Sequence, residues 1–137
     1  MNFENLPKNW DEEPVNRPDR INDLLDLFVN ERARERGALL ILICDPDGYL
    51  LAPCIVEDIP QELTDEDCRQ GLGGFIEAVR VDDVAGAVLI AVGRADGLSL
   101  TETDRRWRSA AEDLCGDDIR VLGVHLITQH GTRPIAA

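Results

Sequence analysis

The sequence predicts an α/β domain of the α+β kind: a mixed sheet of four or more strands with helices on both faces. Three observations carry that expectation. Two apolar runs, ALLILIC at 38–44 and AVLIAV within 85–92, lack polar alternation, as strands buried on both sides do. Around them lie segments whose apolar residues recur at helical spacing. Finally, Thr101 is placed to cap a helix soon after the second run, so the chain crosses back to its next strand and the two strands pair parallel.

Taken in order, residues 1–19 form an N-terminal arm in which Pro7, Pro14 and Pro18 disfavour helix or interior strand. Its apolar residues Phe3, Leu6 and Trp10 are candidate staples onto the domain. Asp19 is placed to cap one helix over 20–36, with Ile21, Leu24, Leu25, Phe28 and Val29 on a single stripe and Gly37 past its end. Strand 38–44 then meets Asp45-Pro46-Asp47-Gly48, turn chemistry that leads into an antiparallel strand at 49–56. Thr64 and Asp67 form a capping pattern for a third segment from residue 65. Because Gly71, Gly73 and Gly74 each cost about 1 kcal/mol against alanine, a break is expected there, with a firmer helix over 75–80. Strand 85–92, a helix over 102–114 and strand 119–128 complete the order α-β-β-α-β-α-β. The domain spans 20–131, and 132–137 reads as an exposed C-terminal tail.

A chain of 137 residues, 44% of them hydrophobic, suffices for one domain with a core. With 14 basic and 27 acidic residues the net charge is −13, which repels a phosphate backbone, so nucleic acid is not an expected partner. Arg105, Arg106 and Arg108 are interleaved with Asp104, Glu112 and Asp113 and read as a solvated helix face. Cys44, Cys54, Cys68 and Cys115 have no metal-knuckle or redox spacing and read as free thiols. No signal peptide and no apolar run of membrane-spanning length is present, so the expectation is a cytoplasmic protein without membrane contact. A run such as GLGG at 71–74 lacks both the Lys-Ser/Thr of a phosphate loop and the preceding strand of a dinucleotide site.

In this element order, residues 38–130 resemble the JAB/MPN metalloprotease-like superfamily, and most closely its bacterial RadC-like branch, a JAB/cytidine-deaminase-like fold. Val92-Gly93-Arg94 lies where that family carries a His-x-His. Thr101-Glu102-Thr103-Asp104 lies where it carries a Ser-x-x-Asp, after a loop one residue shorter, and Val124-His125 replaces a later Asp-His. The resemblance implies a zinc site, yet the side chain of Val92 has no ligating atom and Arg94 is a permanent cation. Of the three ligand positions Asp104 alone remains, so no metal or other cofactor is expected and the chain leans away from being an enzyme.

The resemblance therefore implies a vestigial, non-catalytic site made of Arg94, Asp96, Thr101, Asp104 and His125 that binds an unidentified protein or small ligand. A guanidinium and a carboxylate brought to one place should pair, so an Arg94–Asp104 salt bridge is expected in the position of the ion. The competing chemistry is a metal-dependent or acid-base hydrolase that uses Asp104, Asp96 and His125. A third alternative is a roadblock/profilin-like sensor or adaptor, against which the helix between strands three and four weighs. A homodimer is the expected oligomer, because binding modules of this size often self-associate.

For each site residue there is also a purely structural explanation. Thr101 and Asp104 suit a helix N-terminus on dipole grounds alone, and His125 within an apolar strand suits packing.

Overall fold

The computed structural model describes residues 8–136. In chain order it comprises a 3-10 turn at Trp10–Glu12, α1 (Ile21–Phe28), α2 (Glu31–Arg36), β1 (Ala38–Cys44), β2 (Leu50–Glu57), α3 (Asp65–Val81), β3 (Ala87–Gly93), α4 (Glu102–Cys115), β4 (Arg120–Thr128) and β5 (Gly131–Pro134). The strands form one mixed sheet in the order β2-β1-β3-β4-β5. Strand β1 runs antiparallel to both β2 and β3, β3 and β4 are parallel, and β5 returns antiparallel on β4. The α4 crossover thus joins a parallel pair, as its position between two strands requires.

Helices cover both faces. One face carries Leu39, Ile41, Val88, Ile90, Val92, Val124 and Leu126 and is packed by Leu72, Ile76 and Val79 of α3 and Trp107 and Ala111 of α4. The other carries Leu40, Leu42, Leu89, Ala91 and Ile127 under Leu24, Leu25 and Val29. Every residue of β3 is buried, which follows from its central place between two neighbours and two helical layers.

At the β1–β2 turn the Asp45 carboxylate accepts hydrogen bonds from the N–H groups of Asp47 and Tyr49, both at 3.0 Å, so the aspartate closes the turn that it begins. At the end of α3 the Asp82 carboxylate accepts from Val84 and Ala85, and those backbone donors hold its pKa below the usual value. They compensate a charge that the helix C-terminus disfavours.

Four expectations from the sequence are corrected. The single helix over 20–36 is two helices: Asn30 caps α2 by accepting from Ala33 at 2.8 Å, and the Val29 carbonyl is taken by Arg34 Nε at 2.9 Å. Asp19 does not cap α1, whose N-cap position is Arg20, without a side-chain hydrogen bond. Helix α3 runs unbroken through its glycines. Its capping box and four buried side chains outweigh their cost, and at Gly71 the lack of a side chain serves packing, since a Cβ there would stand 3.0 Å from Trp107 Cη2. The tail expected at 132–137 instead contributes to β5, and Ile135, fully buried, donates its N–H to the Val124 carbonyl at 2.8 Å.

The arm is packed where it is described. Val15 is buried and donates its N–H to the Gly48 carbonyl, and Trp10 meets Phe28 edge to face with ring centroids 6.0 Å apart. The proposed staples Phe3 and Leu6 lie outside the described residues. Among the described residues no helix is long and apolar enough to cross a membrane.

Candidate functional site

Strand β3 delivers Arg94 to its carboxyl end, and the first turn of α4 delivers Asp104. Arg94 follows Val92 by two residues and so shares the face packed by α3 and α4. Its Nε lies 3.0 Å from Asp104 Oδ1 and its Nη2 2.8 Å from Oδ2, a bidentate pair whose side chains are 6% and 1% exposed. The expected salt bridge is present.

The remaining donors of Arg94 are engaged too. Nη1 donates to the carbonyls of Ala95 and Gly97 at 2.9 and 3.1 Å, and Nη2 to that of Ser99 at 2.9 Å. A guanidinium has five N–H donors, and these contacts use all of them. The loop 95–99 is therefore folded around a buried cation that holds three alternate carbonyls. Asp96 takes φ of 76°, a left-handed conformation that aspartate tolerates better than most residues, and so turns the loop back toward the guanidinium.

Asp104 is equally committed. Beyond Arg94 it accepts the Thr101 N–H at 2.9 Å, while the Thr101 hydroxyl accepts the Asp104 N–H at 3.1 Å. This capping box holds the carboxylate independently of the arginine. Arg94 has no donor left for a substrate, and Asp104 holds three N–H groups on a side chain that is 1% exposed.

A zinc ion does not fit these residues. Val92 is buried in the core, Arg94 carries charge of the wrong sign, and the buried Asp104 is already paired with that arginine. Among the described residues no group of three or more His, Cys, Asp or Glu could hold a metal.

His125 is not part of this constellation. It aligns with Ala91 across the parallel β3–β4 pair, and Ala91 packs on the α1 side, so His125 points to the opposite face from Arg94. Burial lowers its pKa from 6.5 and favours the neutral ring. The imidazole lies over Gly123, where a Cβ would come within 2.6 Å of Nε2. The geometry is that of a packing residue.

Outside the salt bridge, the end of β3 opens into a groove of about 510 Å³ whose wall includes Gln61, Glu62, Asp96, Ser99, Glu102 and Arg106. Asp96 and Gly97 form a rim, beyond which lies a second hollow of about 330 Å³ bordered by Arg34, Glu35, Gln129 and His130. The structure thus brings Arg94, Asp96, Thr101 and Asp104 together and leaves His125 elsewhere. Arg106 ties the loop before α3 to α4 by donating to the Leu63 carbonyl at 2.9 Å, and Thr103 Oγ1 accepts the Leu63 N–H at 3.2 Å.

Sequence reasoning missed Arg34, a residue 4% exposed whose guanidinium reaches Val29, Thr128 and Asp26. Among the motifs of the sequence, nothing marks it out from Arg32 or Arg36. It also missed the three carbonyl acceptors at 95, 97 and 99, because a backbone acceptor has no side-chain signature.

Three of the four thiols are buried, and burial pushes Cys44 up to about 12 and Cys68 and Cys115 up to about 11. Thiols held protonated in this way are poor nucleophiles. Comparison with known proteins finds no matching family model, no matching curated protein and no matching solved structure.

Proposed function

We propose that this chain is a non-catalytic domain of the JAB type, in which a salt bridge stands where the metalloproteases of that superfamily hold zinc, and that it binds a partner through the groove at the end of β3. The observation that supports this reading is the buried pairing of Arg94 with Asp104, in which every guanidinium donor is engaged and the carboxylate also holds its helix cap. Hydrolysis needs a group free to activate water or to polarise a carbonyl. The two best-placed residues are buried and paired with each other. The competing hydrolase would also need His125 beside Asp104, and the two lie on opposite faces of the sheet. The roadblock/profilin-like alternative is weakened by the parallel β3–β4 pair with α4 between its strands.

The test is the metal content of protein purified without chelator and dialysed. The proposal expects far less than one zinc per chain and no rise in thermal midpoint on adding zinc. Stoichiometric zinc retained through dialysis would overturn it.

A further inference from the structure

The hollow of about 330 Å³ beyond the Asp96–Gly97 rim is walled by α2, the loop after β3 and the β4–β5 turn, and two buried arginines border it. They are not alike. Arg94 spends all five of its N–H donors inside the chain. Arg34, 4% exposed, spends three: Nε on the Val29 carbonyl at 2.9 Å, Nη2 on the Asp26 carboxylate at 2.7 Å, and Nη1 on the Thr128 carbonyl at 3.4 Å, close to the limit of a hydrogen bond. One N–H on each terminal nitrogen therefore has no acceptor among the described residues. Buried donors are costly to leave unmatched, and a charged group with two of them beside an open hollow points to an acceptor from outside the chain.

We propose that this hollow binds a small zwitterion of the α-amino acid class, its carboxylate on the two open N–H groups of Arg34 and its ammonium toward Glu35 and Asp96. Pairing of guanidinium with carboxylate supplies the strong contact. A plain anion is a poor fit, because Asp26 already neutralises Arg34, and Glu35 and Asp96, which form no ion pair among the described residues, border the same space. A plain cation would leave the donors of Arg34 unmatched. A ligand that carries both charges answers both walls. The volume suits such a molecule, standing at the low end of the roughly 300–1,000 Å³ of small-molecule sites. The site uses Arg34 rather than the Arg94–Asp104 pair, so it goes beyond the proposed function and does not depend on the JAB reading.

The experiment is an NMR titration of the full chain with L-alanine, acetate and ethylamine in turn, at one ionic strength, following the Arg34 Nε–H and the amides of Asp96, Gly97, Gln129 and His130. L-alanine should shift these resonances together, and acetate and ethylamine should each bind at least ~10-fold more weakly, since each supplies one of the two charge contacts. Glu35→Gln and Asp96→Asn should each weaken L-alanine by ~3–10-fold. Both leave Arg34 and Asp26 in place, and asparagine tolerates the left-handed backbone at position 96, so the test needs no variant of the buried arginine. Asp117→Asn, an exposed change just before β4, should leave binding unchanged. Acetate binding as tightly as L-alanine would make this a simple anion site, and ethylamine doing so would reduce it to acidic surface; either overturns the proposal. Equal losses for Asp117→Asn and the wall variants would reduce the effect to net charge and do the same. No response to L-alanine at tens of millimolar would assign the open donors of Arg34 to water, and the proposal would fall.

Discussion

Helices α3 and α4 begin alike: Thr64 and Thr101 each accept the N–H of the aspartate three residues on, and Asp67 and Asp104 each accept the threonine N–H in return. Their surroundings differ completely. Asp67 is exposed to water and serves its helix alone, while Asp104 is fully buried and holds Arg94 as well. A carboxylate taken out of water must be paired and hydrogen-bonded, and one capping contact is too little. The arginine from β3 completes that requirement, and with it draws the loop 95–99 into a fixed shape. The same local motif is thus a helix start in one place and the centre of a site in the other.

That contrast predicts its largest effect at Arg94. Arg94→Ala strands a buried carboxylate and should cost ~3–5 kcal/mol, against ~0–1 kcal/mol for Arg69→Ala, whose ion pair with Asp113 is exposed. Urea midpoints of the two variants measure the difference, and similar small losses would break the comparison. Arg69 is the suitable control because Arg106 also holds the Leu63 carbonyl.

Next come the caps themselves. Thr101→Ala and Thr64→Ala each remove one capping acceptor, worth ~1 kcal/mol. Thr101→Ala should cost more, because the carboxylate that it steadies also carries the buried pair. Equal losses by thermal unfolding would mean that the two caps are independent of their surroundings.

Glycines in α3 give a smaller effect of opposite sign. A Cβ at Gly74 meets open space, so Gly74→Ala should stabilise by ~0.5–1 kcal/mol. Gly71→Ala should fall short of that gain, because its Cβ presses on Trp107. Calorimetric midpoints separate the two, and an equal gain would show that Trp107 yields freely.

The smallest effect lies in titration. Asp67 is held below its ordinary 3.8, first by the Thr64 backbone N–H and then by the Thr64 side chain. A carboxylate whose folded pKa is depressed contributes stability that is present above the unfolded value and is lost as pH falls through the folded one. Thr64→Ala keeps the backbone donor, so the Asp67 carboxyl resonance should titrate nearer 3.8 but still below it. Return to 3.8 would assign the whole shift to the side chain.

Much of the fold was legible because its signals are local. The apolar runs of β1 and β3, the Asp45 turn and both threonine caps each depend on residues within a few positions of one another. The Arg94–Asp104 pair was legible from the resemblance, which sets both residues at positions that converge on one ion, and the short loop between strand end and helix start lets them meet.

What failed depends on distant partners. The break after Phe28 is sealed by Arg34, which also reaches the Thr128 carbonyl on β4, and no helical periodicity of 20–36 records that contact. Strand β5 consists of Gly131, Thr132, Arg133 and Pro134, a sequence without strand character that becomes a strand because β4 offers it an edge. His125 was a site candidate because Val124-His125 stands where the resembling family carries an Asp-His, and the side of the strand on which it projects removed it.

The most direct test of the central claim is a double-mutant cycle of Arg94→Ala, Asp104→Ala and both together, read by urea unfolding. If the buried pair is the centre of this site, each single change is costly and the double variant loses far less than the sum of the two, because no charge is left stranded. Losses that simply add would show that the two residues do not depend on each other, and would contradict the account.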